Sequence, residues 1–146
     1  MTSPTARDPR SFAWPVEVAL AAAIETDATL ATLLAGGKVY SLVAPPKSPF
    51  DYITLGDMSE SASSHFNRFG TSSVETIHIW SRKPGKSGVL AIYMALYVLL
   101  HGRALPLAGT ASMLRGTLIL ATVLADPDGL TAHGVARYAV RAEAVT

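Results

Sequence analysis

The stretch VETIHIWSRKPGKSGVLAIYMALYVLLH, residues 74–101, holds the strand and the helix around which the chain is built. Its first part, Val74 to Ser81, alternates: Ile77 and Ile79 point to one side, His78 and Trp80 to the other. A period of two belongs to a strand with two different faces. Lys83-Pro84-Gly85-Lys86-Ser87-Gly88 is a turn, with Ser87 placed to cap the next helix. Val89 to His101 is that helix, and its apolar residues cover more than half its circumference. A helix that apolar has to be covered on more than one side.

On the N-terminal side, Pro15 to about Ala35 has the 3.6-residue period of a helix, through Val16, Leu20, Ala23 and Ile24. Pro15 and Glu17 suit a first turn, a kink is expected near Thr26, Thr26 and Asp27 can cap a second short turn through Leu34, and Gly36-Gly37 stops the helix. Val39 to Val43 and Tyr52 to Gly56 read as strands on either side of a proline-rich loop. Ser59 to Ser73 is polar and reads as the mobile tip of a long hairpin. On the C-terminal side, Leu105 to Leu107 and Met113 to Ala125 are further strand candidates. Asp126-Pro127-Asp128-Gly129 is a tight turn before a last strand, Thr131 to Glu143, with Ala136, Tyr138, Val140 and Ala142 on one face. The order is α, β, β, β, α, β, β, β. It predicts an α+β domain: a mostly antiparallel β-sheet with two α-helices packed on one face. Met1 to Ala13 reads as a flexible N-terminal arm, and 14–146 as a single domain.

Composition narrows the function. The chain has 146 residues, 12 basic and 11 acidic, so there is no charge excess of the kind a nucleic-acid binder carries. It has no cysteine, which excludes disulfides, thiol catalysis and iron–sulfur clusters. Charged residues are 16% of the chain, against roughly 25% in typical soluble domains, while apolar residues are 49%. The most apolar window, Val89 to Leu100, is shorter than the roughly 20 residues a membrane span needs. The N-terminus lacks the layout of a secretion signal. An intracellular soluble protein with partner-covered surfaces is the resulting expectation.

No motif for catalysis stands out. His65, His78, His101 and His133 form no metal-spaced pair. His101, at a helix end, would suit the dipole as an imidazolium. Gly85-Lys86-Ser87 lacks the earlier glycine of a phosphate loop, where Trp80 stands instead. The turn at Asp126 lacks the spaced oxygens of a calcium loop. No serine sits in a nucleophile elbow. Asp and Glu are few and read as turn or helix-start residues. Arg68, Arg82, Lys83 and Lys86, with Phe66, Phe69 and Trp80, could touch a nucleic-acid backbone, but solubilising charge beside interface aromatics accounts for them better.

Four segments occur in a telling order: Leu33 to Tyr40 (LLAGGKVY), Pro49 to Gly56 (PFDYITLG), His78 to Arg82 (HIWSR), and Asp126 to Tyr138 (DPDGLTAHGVARY). Together they resemble the small tail-completion or tail-terminator proteins of siphophages and related gene-transfer particles, over about Val16 to Glu143. The resemblance implies a structural virion protein, not an enzyme. It implies a ring, usually a hexamer, that terminates the tail tube and joins it to the head connector, with DNA passing through without specific binding. Its partners would be copies of itself, the tail-tube protein and the head-tail connector protein. Its place would be the virion tail at the head-tail junction, after assembly in the host cytoplasm. No cofactor, metal or catalytic residue is implied, and no membrane. Subunit or tube contacts are expected at His65, Phe66, Arg68, Phe69, Trp80, Tyr93 and Tyr97, on the hairpin tip and the exposed helix flank. The competing readings are another head-tail joining adaptor, a tail-tube subunit, or a small accessory enzyme or ligand-binding domain.

Overall fold

A computed structural model describes residues 11–63, 70–107 and 111–144. The elements run α1 (Ala13–Thr26), α2 (Ala28–Leu33), β1 (Val39–Ser41), β2 (Tyr52–Ala62), β3 (Gly70–Ser81), α3 (Ser87–Leu100), β4 (Ala111–Ala125) and β5 (Ala132–Ala144). They form one five-stranded sheet in the order β1-β2-β3-β5-β4. Among the described strands β1 and β2 pair in parallel, and the other ladders are antiparallel. The expected α+β class and largely antiparallel sheet are what the chain adopts.

Among the described residues the α-helices number three, not two. The first apolar period is broken at Asp27, whose backbone turns extended (ψ 126°) and whose carboxylate accepts the Leu30 N–H at 3.0 Å. A carboxylate there satisfies a donor that a new helix leaves open, so one helix becomes two. Gly36 and Gly37 take positive φ just beyond, as the stop signal predicted. Glu17 lies a full turn inside α1 rather than at its start, and accepts a hydrogen bond from Ser41 Oγ at 2.9 Å. Residues 11–13 belong to the folded chain rather than to an arm: Phe12 is buried and Ala13 opens α1.

The stripe Phe12, Val16, Leu20 and Ile24 faces the sheet at four-residue intervals. On α3 the stripe is Val89, Ile92, Leu96 and Leu100. Opposite them lie Ile53, Leu55, Ile77, Ile79, Ala136, Tyr138 and Val140, all buried. One sheet face therefore carries the core and all three helices. α1 packs over β1 and β2; α3 packs over β3, β5 and β4. Gly134 lets β5 come close under α3: a Cβ there would lie 2.5 Å from Val89 Cγ1.

Three local expectations are corrected. The polar stretch Ser59 to Ser73 contributes strand at both ends, since β2 runs to Ala62 and β3 begins at Gly70, with Ala62 opposite Thr71, and the expected tip between them, 64–69, lies outside the described residues. β3 is hydrogen-bonded on both sides, to β2 and to β5 from Gly70↔Glu143 onward, and that ladder outweighs weak local preference. Leu105 to Leu107 form no strand; Pro106 has no N–H to give a ladder. Ser87 does not cap α3: Lys86 holds that position, and Ser87 Oγ donates to Pro84 O at 3.3 Å.

At the Asp126 turn, Gly129 N–H reaches Asp126 O at 3.0 Å with Gly129 at φ 73°. The Asp128 carboxylate accepts from Leu130 N, Thr131 N and Thr131 Oγ1 at 2.7–2.8 Å, which uses its oxygens on the turn itself. These bonds, the Thr131 hydroxyl first, hold its pKa below the usual carboxylate value.

Candidate functional site

The sheet face without helices carries a row of rings. The two-residue period that buries Ile77 and Ile79 turns His78 and Trp80 outward, opposite Thr54 and Tyr52 on β2 and Val135 and His133 on β5. Trp80 and His133 stack with centroids 3.8 Å apart and planes 7° apart. His78 Nδ1 and His133 Nε2 lie 2.7 Å apart. One nitrogen must donate and the other accept, so at least one ring is neutral. Burial lowers both pKa values, and at His133 a charge on His78 would lower it further. Trp80 Nε1 donates to Thr54 Oγ1 at 3.1 Å, which fixes the indole. Tyr52 continues the row to Phe50, and the Arg82 guanidinium sits 4.3 Å from the Phe50 centroid. The row offers flat apolar area with a few polar tips, the composition of a contact surface.

The other exposed apolar groups collect at the two sheet edges. Over the β1 edge these are Trp14 and Val18 on α1, with Leu42 and Val43 after β1. At the β4 edge they are Leu90, Met94, Tyr97 and Val98 on α3, and Ile119, Leu120 and Leu124 on β4, of which Leu120 and Leu124, paired with Arg137 and His133, stand on the open face. Leu130, in the turn after β4, adds to the second group. Among the described residues, every exposed large apolar side chain belongs to one of these two groups. A monomer rarely keeps such patches without a use for them. No described helix is long and apolar enough to cross a membrane.

Toward the far end of β3 the helix-side face turns polar. Thr71, Ser73 and Glu75 continue the line of Ile77 and Ile79 and are all buried. Glu75 lies across from Tyr138. One oxygen each of Glu75, Ser73, Thr71 and Tyr138 is buried without a hydrogen-bond partner. Burial, reinforced by the Glu17 and Glu60 carboxylates, raises the Glu75 pKa to about 7. Glu60 itself accepts from Phe12 N at 3.0 Å and Ser11 Oγ at 2.7 Å, which ties the start of α1 to the hairpin. Burial also drives the Tyr138 pKa far up, so its hydroxyl is neutral at any working pH. Tyr138→Phe removes an unpartnered buried hydroxyl. It should therefore leave stability within about 0.5 kcal/mol or raise it slightly, as measured by urea unfolding. A loss of about 2 kcal/mol or more would show that the hydroxyl is bonded in solution.

Of the residues picked from sequence, Trp80 stands on the open face, half-buried in the ring row. Tyr93 and Tyr97 stand on α3, with ring centroids 6.3 Å apart, and Tyr97 stacks on His101 at 4.5 Å. They are thus on two different surfaces rather than one. His65, Phe66, Arg68 and Phe69 lie outside the described residues. His101 is engaged by the sheet: its Nδ1 accepts the Leu118 N–H at 3.1 Å. Sequence reasoning missed His133, whose pairing with Trp80 depends on register, and Glu75, which lay in the strand Val74 to Ser81 but was not singled out. It also missed Trp14 and Val18; their positions on the face of α1 opposite Val16 and Leu20 were the available signal.

The sequence profile of a family described as tail completion protein gp17 matches residues 18–143. A chain from the virion of a native gene transfer agent particle superposes with a TM-score of 0.80 at 21% identity, over 91% of this chain and 98% of that one. The bacteriophage SPP1 gp17 protein gives a TM-score of 0.44 at 20% identity, over 91% of this chain and 90% of that one. No curated protein sequence matches the chain.

Proposed function

The chain belongs to the tail completion protein gp17 family, and from that premise we propose that it is a structural component of a phage or phage-like tail that closes the tube as a ring. In this reading copies of the chain, six to a ring, terminate the tail tube in the virion and join it to the head connector. DNA passes through the lumen and is not held by any specific site. The near balance of 12 basic and 11 acidic residues suits that passage, since a strongly basic lumen would retain DNA.

The observation that carries the reading is the segregation of exposed apolar side chains to opposite edges of the sheet. A cyclic assembly uses head-to-tail contacts, so each copy needs two different apolar surfaces on two sides. The open face, with Trp80 at its centre, is then left for the end of the tail tube.

Native mass spectrometry and negative-stain images of the purified protein, with images of particles lacking it, test the proposal. Single rings are expected, together with headless tails of irregular length when the protein is missing. Long cylinders would mark a tube subunit, and a stable monomer with normal particles in its absence would end the proposal. Trp80→Asp is expected to leave rings intact yet give headless tails in a complementation assay. Normal particles from that variant would remove Trp80 from the tube contact.

A further inference from the structure

We infer that the α3–β4 edge of one copy docks onto the α1–β1 edge of the next, with a second copy of this chain as the occupant of each. This rests on the ring reading and names the surfaces that would build it. Three observations converge.

First, the two edges are unlike, so they do not suit a symmetric self-contact. The α1–β1 edge offers a protruding indole, Trp14, exposed at 70%. The α3–β4 edge offers an apolar cleft of about 280 Å³ between α3 and β4, floored by Val89, Tyr93, Ala121 and Val123. Large aromatics filling apolar pockets are the usual anchors of protein interfaces.

Second, the charges complement each other. Glu17 and Glu25 line the cleft beside α1. Arg82, Lys83 and Lys86 line the 450 Å³ cleft between the start of α3 and the end of β4. Arg82 and Lys83 already face Asp128 and Asp51 at 3.7 Å, whereas Lys86 has no carboxylate partner among the described residues. Opposite charge across two edges sets the direction of a head-to-tail contact and disfavours like edges meeting.

Third, β4 is a long edge strand. Residues 101–103 cover it near Gly116, through Gly102 N–H to Gly116 O at 2.8 Å and the His101↔Gly116 bridge. Farther along, Ile119, Leu120 and Leu124 stay about half exposed. Edge strands with such side chains are covered in stable proteins, or they aggregate.

The absence of cysteine makes the test clean, because any crosslink must join introduced thiols. Val18→Cys and Met94→Cys place one thiol on each edge, at side chains 44% and 66% exposed. Under mild oxidation the double variant should give a ladder of covalent multimers on a non-reducing gel. Each single variant should stay monomeric, and the two singles mixed should stop at dimers. A second pair, Trp14→Cys with Val98→Cys, guards against one pair missing by geometry. Dimers from either single variant would show like edges meeting and overturn the inference. Rings in native mass spectra with no ladder from either pair would also overturn it, while leaving the ring reading standing. No rings from the wild type, at high concentration or in assembled tails, would instead remove the ring reading itself.

Discussion

Glu75→Gln is expected to raise the melting temperature by several degrees at pH 8 and to leave it unchanged near pH 4. Glu75 is buried, one of its oxygens has no partner, and its pKa in the fold stands at about 7 against an ordinary 4.5. Desolvation is the main cause, and the Glu17 and Glu60 carboxylates add to it. The sign comes from proton counting. Below pH 4.5 the residue is protonated whether the chain is folded or not, so it costs nothing. Between 4.5 and about 7 the unfolded chain has released its proton and the folded chain has not, so stability falls as pH rises. Above about 7 the charge is buried and the full penalty is present. At about 1.4 kcal/mol per pKa unit that penalty would be about 3 kcal/mol, and solvent screening reduces it to roughly 2. For a chain of this size that is about 4–8 °C. Glutamine keeps the shape and removes only the charge. Equal gains at both pH values would mean that shape or hydrogen bonding, not ionisation, sets the cost.

Glu75 also marks a limit of what local pattern encodes. Val74 to Ser81 was legible as a two-faced strand because Ile77 and Ile79 alternate with His78 and Trp80. Alternation alone put Glu75 on the same face as those isoleucines, but a carboxylate does not read as a core residue. What buries it is the ladder: β3 is central, held by β2 on one side and β5 on the other. The same ladder turns Ser72 and Ser73 into strand, against their local preference. The core stripe of α1 was legible because it repeats at helical spacing, whereas on α3 apolar residues cover so much of the circumference that spacing alone did not single out Val89, Ile92, Leu96 and Leu100. The division of the first helix was legible in Thr26 and Asp27, which can cap a second short turn, and the Asp27 carboxylate makes that cap. The Trp80–His133 stack was not legible at all. It joins residues 53 positions apart through a register that no local pattern encodes.

The low charge content acquires a location in the fold. The apolar residues in excess are not scattered over the surface. They lie on the outer flank of α1 with Leu42 and Val43 after β1, and on the outer flank of α3 and the exposed part of β4 with Leu130 in the turn after it. Both helices also bury a regular inward stripe, so the same helix serves the core and a partner with different residues.

That division of labour can be separated on α3 with two substitutions two residues apart. Ile92 is fully buried, while Met94 is 66% exposed. Ile92→Ala should cost about 2–5 kcal/mol, because it deletes buried methyl groups and leaves a cavity between α3 and the sheet. That is a fall of roughly 5–15 °C in melting temperature, for the isolated chain as much as for any assembly. Met94→Asp touches no core residue, and its cost to the isolated chain should be about 0.5 kcal/mol. Its effect should appear in association instead: a carboxylate set into an apolar contact must be desolvated without a partner. Native mass spectra of Met94→Asp should show folded monomer where the wild type shows rings, and its melting curve should overlay that of wild-type monomer. If Met94→Asp melts as early as Ile92→Ala, the outer flank of α3 belongs to the core. If it assembles like the wild type, that flank faces no neighbour.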